Sequence, residues 1–411
     1  MDEKKLVFYG VNNIKENKNA KKHLSEEDIQ RLAVLSKIIP FRANNFILDE
    51  LIDWERNIED PIFKIVFPSK EILYSDAMEC MRNAQARCGN EDNKKVHAYD
   101  ISLGETDSDD DTPEIDGEKI FGTQHKYEQT FVYFPIQGQQ CFAYCNYCFR
   151  WNRFTEKCYG VDATENKLLH DYLSKHKEIS DVLITGGDPL IMPDNILKKH
   201  LDRFLAYENI ENIRIGTKSI SFWPYRFLGE EGRRIANIFK GIKKAGKNIT
   251  LILNINHYKE LENKIVVQAI EKLQKLGIVL RTQTPIIKNI NDKSEILIKT
   301  FRKQANTGMV PYYLFALRPT GTSKYYRIPI EKIFSEYIKA YRELSGLCKT
   351  IRGPVLSTKW GKLIIENICM HKNSKKFILK FINSKEKWKM GKVYYADCAL
   401  NRYWINAIED A

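Results

Sequence analysis

Cysteine recurs three times within eight residues in Cys141-Phe-Ala-Tyr-Cys145-Asn-Tyr-Cys148. Thiolates grouped this closely on one loop can hold three irons of a cubane iron–sulfur cluster, leaving the fourth iron open to another donor. Zinc is the rival. A structural zinc site closes with four ligands, a catalytic one keeps three plus water, and Cys158 could complete the first kind. Inert buried thiols are the bland reading. A second group stands at Gly186-Gly187-Asp188, directly after a β-branched run. Two glycines let the backbone approach a ligand closely, and a carboxylate beside them can accept from an ammonium. Trp223, Tyr225 and Phe227 could stack on a flat ligand or pack as a rim.

The C-x3-C-x2-C loop, with Tyr147 before its last cysteine, resembles the signature of the radical S-adenosylmethionine (SAM) superfamily. Six further segments are similar to the lysine 2,3-aminomutase-like branch and occur in that branch's order. They are His125-Lys-Tyr127, Leu183–Leu190, Arg214–Phe227, Leu253–Leu261, Thr282–Asp292 and Tyr312–Pro329. The likeness runs from about residue 60 to 365. It implies that Cys141, Cys145 and Cys148 hold a [4Fe-4S] cluster and that the methionine end of S-adenosyl-L-methionine chelates the open iron. One-electron reduction then cleaves the cofactor to a 5′-deoxyadenosyl radical that abstracts hydrogen from substrate. By the same resemblance Gly186, Gly187 and Asp188 bind the methionyl amine, Arg150 its carboxylate, and Gln283 makes another methionyl contact. Asn254 and His257 lie in the corresponding fourth-strand motif, where His257 reads equally well as a helix cap.

The chain also departs from that branch. Lysine 2,3-aminomutase holds pyridoxal phosphate as a Schiff base on a lysine, and the resemblance places Arg352 at that position. A guanidinium stays protonated and forms no Schiff base. Lys126 and Thr130 stand where the branch has two phosphate-holding arginines, and Arg318 where it has the carboxylate that grips the distal amine. These departures imply a dismantled pyridoxal site, with Lys359, Lys362 or Lys349 as the lysines that could replace the missing one. Arg318 and Arg352 are then expected to face the radical and bind a carboxylate or phosphate of the substrate. The expected function is a radical SAM enzyme acting on a small anionic molecule, supplied by an electron donor such as flavodoxin or ferredoxin. Three rivals stay open: a pyridoxal-dependent amino-acid 2,3-aminomutase, a modifier of tRNA or of a protein lysine, and an iron–sulfur sensor without catalysis.

Such residues need a scaffold. Short β-branched or aromatic runs recur at Phe131–Ile136, Asp181–Thr185, Ile213–Lys218, Ile249–Ile255, Val279–Thr284 and Pro311–Ala316, separated by amphipathic stretches such as Asn195–Tyr207 and Asn263–Leu276. This alternation predicts a parallel sheet of right-handed βαβ units with the motifs at the C-terminal strand ends. Six strands are too few for a closed barrel of eight. The expected fold is therefore α/β: an incomplete (β/α)6 TIM-type barrel over residues 123–320, a helical and loop-rich region over 1–122, and a small β-rich unit over 321–411. In the last, a helix at Ile330–Leu347 precedes strands at Lys362–Ile368, Lys376–Ile382 and Lys392–Ala396. Ser25 with Asp28 three residues on predicts a helix start. The acidic stretch Thr106–Pro113 predicts an exposed loop.

At 43% hydrophobic and 29% charged, the 411 residues exclude a disordered chain. No apolar run approaches the ~18 residues of a membrane span. Met1–Leu6 carries no signal-peptide core, so the expected location is the cytoplasm. Nine cysteines, an odd number, do not suggest a disulfide framework. Cys80, Cys88, Cys158, Cys348, Cys369 and Cys398 default to buried thiols. Residues 352–411 carry twelve Lys or Arg against five Asp or Glu, a local excess of +7. That keeps nucleic-acid binding open, and the same strands are a candidate homo-oligomer interface.

Overall fold

β-Branched and aromatic runs in the middle of the chain form one continuous sheet of twelve strands in the computed structural model. The structure describes residues 4–36, 39–69, 111–150, 167–319 and 323–411. Cys80, Cys88, Cys158 and most of the acidic stretch before Asp111 lie outside these residues. Two short antiparallel pairs come first: β1 (Phe8–Tyr9) with β2 (Ala43–Asn44), and β3 (Glu114–Ile115) with β4 (Glu118–Lys119). The sheet then runs in chain order through β5 (Thr123–Tyr127), β6 (Thr130–Tyr133), β7 (Asp181–Ile184), β8 (Asn212–Thr217), β9 (Asn248–Asn254), β10 (Val279–Ile286) and β11 (Val310–Ala316). It continues with β12 (Arg352–Ser357), β13 (Gly361–His371), β14 (Ser374–Ser384), β15 (Val393–Asp397) and β16 (Glu409–Asp410). Strands β6 through β12 pair in parallel, and β5 and β13–β16 are antiparallel additions at the two edges.

Alternation along each strand separates two faces. Ile213, Ile215 and Thr217 of β8 are buried on one side, while Arg214 and Gly216 point to the other. Register carries that second face across the sheet: Arg214 is opposite Thr250, Gly216 opposite Ile252, Ile252 opposite Arg281 and Asn254 opposite Gln283. Helices Asp194–Asp202, Gly229–Lys244, Lys264–Lys275 and Ser294–Asn306 fill the crossovers. Each buries an apolar stripe, as Ile235, Ile238, Phe239 and Ile242 do at helical spacing. The sheet rolls until its first strand returns to the C-terminal strands. Lys126 Nζ donates to Thr358 O at 2.8 Å, and Lys387 pairs with Glu128 at 2.5 Å.

The structure departs from the expected elements in identifiable ways. β6 stops at Tyr133 instead of Ile136, because Pro135 breaks the ladder and a single turn, Ile136–Gly138, carries the chain to the cysteines. Residues 352–357 form a further parallel strand, where Gly353 and Pro354 hide a buried strand from pattern reading. The parallel part of the sheet therefore extends past residue 320. The C-terminal strands continue the same sheet and pack with helix Ile330–Arg342 around their own apolar cluster. Asp111, expected on an exposed loop, is buried and paired with Lys126 and Lys385. The helix start at Ser25 forms as expected, with Asp28 N donating to Ser25 Oγ and Ser25 N to Asp28 Oδ2. Among the described residues no helix is long and apolar enough to cross a membrane.

Candidate active site

The cysteine loop begins where the turn after β6 ends, and the N-terminal segment holds it. Tyr144 N donates to Arg42 O at 3.0 Å and Asn146 N to Ile65 O at 2.9 Å. Arg42 Nη1 donates to Gln140 Oε1 at 2.7 Å, and its guanidinium lies over the rings of Phe8 and Tyr144. Asn44, wholly buried, donates to Phe142 O at 3.0 Å and Phe222 O at 2.9 Å and accepts from Ile47 N. None of these N-terminal contacts was visible in the sequence, since partners some 98 residues apart leave no local pattern. Asn44→Ala is expected to cost on the order of 3 kcal/mol, because two carbonyls and an amide lose a buried partner. Urea unfolding measures that loss, and iron retention under chelator should fall with it.

Burial raises all the thiols for which a shift is resolved on this loop. It pushes Cys145 up to about 12, partly offset by the Lys218 charge, and Cys141 well above the ordinary thiol range, with Asp188 and the other two cysteines adding to the effect. Mutual influence of this kind requires the three sulfurs to be neighbours. Tyr147, between the last two, is buried and donates from its hydroxyl to Asn256 Oδ1 at 2.8 Å.

The turn after β7 presses against the start of this loop. A Cβ on Gly187 would fall 2.4 Å from Gln140 O, and one on Gly186 would fall 2.4 Å from Gln139 Nε2. Asp188 N donates to Gln140 O at 2.6 Å. Gly187 therefore lets two backbone segments meet and Gly186 makes room for the Gln139 side chain, which refines the expectation of a close approach to ligand alone. The Asp188 carboxylate accepts from Thr217 Oγ1 at 2.7 Å, Lys218 N at 2.8 Å and Leu190 N at 3.1 Å. Burial nevertheless lifts it to about 6. With so many donors already supplied, Asp188 orders the turn.

Beyond the cysteines, Phe149 carries two guanidinium groups on its ring, that of Arg150 at 4.8 Å and that of Arg318 at 4.7 Å. Arg150 Nη1 reaches Thr185 Oγ1 at 3.3 Å, and Arg318 Nη2 donates to Ser357 Oγ at 2.8 Å. Asn254, at the end of β9, has its Oδ1 3.3 Å from the Tyr147 hydroxyl, and its backbone carbonyl accepts from Lys218 Nζ at 3.0 Å. Gln283 lies next to Asn254 on the same sheet face, and its side chain makes no hydrogen bond among the described residues. The structure thus gathers Cys141, Cys145, Cys148, Gly186, Gly187, Asp188, Arg150, Asn254, Gln283 and Arg318 at one end of the parallel strands.

Two expected site residues fall elsewhere. His257 is buried as the cap of the turn Tyr258–Leu261, with its Nδ1 accepting from Lys259 N at 3.2 Å. Burial, with Lys259 beside it, lowers its imidazole to about 3, so it stays neutral, and the capping reading replaces the cofactor contact. Its wall of the molecule opens on a separate cavity of about 680 Å³, shared with Lys288 and Tyr325. Arg352 opens β12 and is exposed. It lies five residues before Ser357, the Arg318 partner, about 16 Å away along the strand at ~3.3 Å per residue. Its guanidinium reaches Tyr313, the ring beneath Lys362, so it meets that interior from the end opposite Arg318. Trp223 and Phe227 are packed in the core, as the bland reading had it.

Of the three lysines near β12, only Lys362 enters the rolled sheet. It lies over the rings of Tyr127 and Tyr313, at 5.3 and 5.2 Å. Burial, reinforced by Arg214 and Arg318, brings its amine down to about 8. Lys359 is exposed over Trp360, and Lys349 sits over Tyr341 of the outer helix.

Comparison with known proteins gives this geometry a family. Residues 136–301 match the family model described as the Radical SAM superfamily. A protein of Aquifex aeolicus named "Putative L-lysine 2,3-aminomutase" is 31% identical over 344 residues, covering 83% of this chain and 81% of that one. This chain belongs to the radical SAM superfamily, in its lysine 2,3-aminomutase-like branch. The L-lysine 2,3-aminomutase of Haemophilus influenzae is 24% identical across 82% of this chain and 86% of its own. A second Aquifex protein of the same name is 30% identical, but over only 47% of this chain and 50% of its own length. The protein is a radical SAM enzyme related to lysine 2,3-aminomutase.

Membership in the radical SAM superfamily implies an iron–sulfur cluster and S-adenosylmethionine, and the residues fit both. Three neighbouring thiols are a soft donor set suited to iron and sulfide. A thiol pushed to about 12 keeps its proton until a metal displaces it, so cluster binding is tied to proton release. For the cofactor's ammonium, Gln139 Oε1 is a buried acceptor with no donor among the described residues, and it lies 2.8 Å from where a Cβ on Gly186 would sit. Donation from its Nε2 to Pro135 O fixes which way that amide points.

Proposed function

We propose that this radical SAM enzyme acts on a small anionic molecule held inside the rolled sheet, an incomplete TIM-type barrel. When bound, the cluster and S-adenosylmethionine supply a 5′-deoxyadenosyl radical able to take hydrogen from a C–H bond. The chain does the placing. Cys141, Cys145 and Cys148 hold the cluster, and Gly186, Gly187 and Gln139 offer oxygens to the methionyl amine. Asp188 keeps that turn in place, Arg150 takes the methionyl carboxylate, and Asn254 and Gln283 border it. The observation that carries the reading is Phe149, whose ring joins the residue after the last cysteine to the guanidinium of Arg318. Lys126 and Lys362 both feel the Arg318 charge, so that end of the interior is cationic. Anions are stabilised there by charge-assisted hydrogen bonds.

Arg318→Gln is the test. Loss of one charged partner should raise substrate KM on the order of 100-fold. Reductive cleavage of the cofactor without substrate should continue as before. Product formed at the normal KM removes Arg318 from the substrate site.

A second reading, a pyridoxal-dependent aminomutase, is favoured by Lys362. Its buried amine, brought down to about 8, is mostly protonated near pH 7 but keeps a neutral fraction far above that of an ordinary lysine, enough to hold a carbonyl cofactor such as pyridoxal phosphate. Relocation of that lysine from the Arg352 position to Lys362 would keep the branch's chemistry. Docking of tRNA finds less support, because Lys375, Lys376, Lys380, Lys385, Lys387 and Lys389 are each in an ion pair. In this reading residues 1–122 brace the cysteine loop, 123–320 carry the cofactor, and 321–411 close the substrate end. A flavodoxin or ferredoxin in the cytoplasm would supply the electron, and the C-terminal strands remain the place for a second copy.

A further inference from the structure

Asn256 is wholly buried beside the cysteine loop, and its side chain is pinned on one side. Its Oδ1 accepts from Lys218 Nζ at 2.7 Å and from Tyr147 OH at 2.8 Å. An ammonium only donates, so the amide cannot be turned over and Nδ2 is the atom left on the other side. The backbone is equally tied down, with Asn256 N donating to Glu260 Oε1 at 2.7 Å and Asn256 O accepting from Asn291 Nδ2 at 2.8 Å. Glu260, wholly buried, is saturated in turn by Lys218, by Ser221 and by the amides of Asn256 and His257. Against this paired network, Asn256 Nδ2 has no acceptor among the described residues. A buried donor left unpaired costs about 1–3 kcal/mol. The surroundings maintain that cost at the side chain touching Tyr147, the residue between Cys145 and Cys148.

We propose that Asn256 Nδ2 donates a hydrogen bond to a sulfur of the bound cluster on its Cys145 side, with Lys218 as the positioning residue that holds the amide in this orientation. The inference rests on the cluster reading above. A hydrogen bond to a cluster sulfur stabilises the extra negative charge of the reduced state and so raises the potential. Lys218 acts through the amide, since its three donors are already given to Asn254 O, Asn256 Oδ1 and Glu260 Oε2.

The experiment uses the reconstituted holoenzyme without S-adenosylmethionine, which separates a contact to the cluster from one to the cofactor. Asn256→Asp keeps an oxygen for Lys218 and Tyr147 while removing the donor. At fixed solution potential the ratio of reduced to oxidised cluster, read by EPR, should fall about tenfold, equivalent to about 59 mV for one electron. An unchanged ratio overturns the proposal. A second measurement needs no variant: protein labelled with 15N at the asparagine side-chain amide should show a 15N coupling to the reduced cluster in pulsed EPR, absent from Asn256→Asp. An iron-loaded wild type without that coupling overturns the hydrogen bond alone. A wild type that takes up no iron–sulfur cluster overturns the cluster reading beneath it.

Discussion

Cys145→Ala protein is expected to fold, to hold no [4Fe-4S] cluster after anaerobic reconstitution, and to form 5′-deoxyadenosine only at background. The fold survives because the loop is held by its neighbours and not by the sulfur. Asn44, Arg42 and Ile65 grip the backbone around Cys145, and Tyr147 is anchored to Asn256. Removing the half-buried sulfur of Cys145 costs about 1 kcal/mol of lost packing. Chemistry is lost because two thiolates cannot hold the cluster. Iron and sulfide analysis beside urea unfolding measures the two effects separately, and iron retained at the wild-type ratio would exclude Cys145 as a ligand. Without metal, the raised thiols also set a sign. A thiol whose folded pKa lies above its unfolded value contributes stability that is complete below the unfolded value and lost as pH climbs towards about 12. Apoprotein should therefore weaken in alkali, starting near the ordinary thiol range.

Lys362→Met should separate the two readings of the interior and move stability in the opposite sense. With its amine at about 8, Lys362 at pH 7 exposes a neutral fraction about 300-fold larger than an ordinary lysine. Pyridoxal phosphate with borohydride should label it ahead of every other lysine, with a rate that rises up to about pH 8 and then levels. Peptide mapping locates the label. Selective labelling together with loss of turnover in Lys362→Met supports the pyridoxal reading; random labelling and unchanged turnover support the pyridoxal-free one. For stability, the unfolded lysine binds more protons than the folded one between pH 8 and about 10.4, so unfolding free energy rises with pH across that window. Below it the buried amine costs the fold on the order of 3 kcal/mol. Lys362→Met should therefore be the more stable protein at pH 7, with the gap closing as pH approaches about 10.4.

Position in the fold explains the different standing of Arg318, Arg352 and Lys362. All three are basic residues of the barrel-like sheet; the two arginines were expected to bind an anion, and Lys362 was one of three lysines that could replace the missing one. Arg318 follows the C-terminal end of β11 and meets the cysteine loop through Phe149. Arg352 begins the neighbouring strand, at the opposite end. Lys362 comes ten residues later in the chain, yet the turn after β12 reverses direction and sets it beside Ser357. Strand direction, invisible in composition, sorts them.

His257 and Asn256 make the same point at shorter range. Both sit in the segment expected to touch cofactor, one residue apart. The turn Tyr258–Leu261 takes the imidazole as its cap, while the amide is delivered to Tyr147. A strand end throws successive side chains to opposite sides, so neighbours acquire unrelated environments.

Cysteine spacing, the glycine pair and the recurrence of β-branched runs are local properties, and from them a three-thiol cluster site and the parallel α/β sheet could be read before any coordinates, while the radical SAM chemistry came from the resemblance to that family. Short-range sterics and apolar periodicity decide such features. The N-terminal grip on the cysteine loop, the single sheet running on into the C-terminal strands, and the entry of Lys362 into the rolled sheet depend on which distant segments pack together. Long-range burial and pairing in three dimensions govern those, and they leave no signal in neighbouring residues.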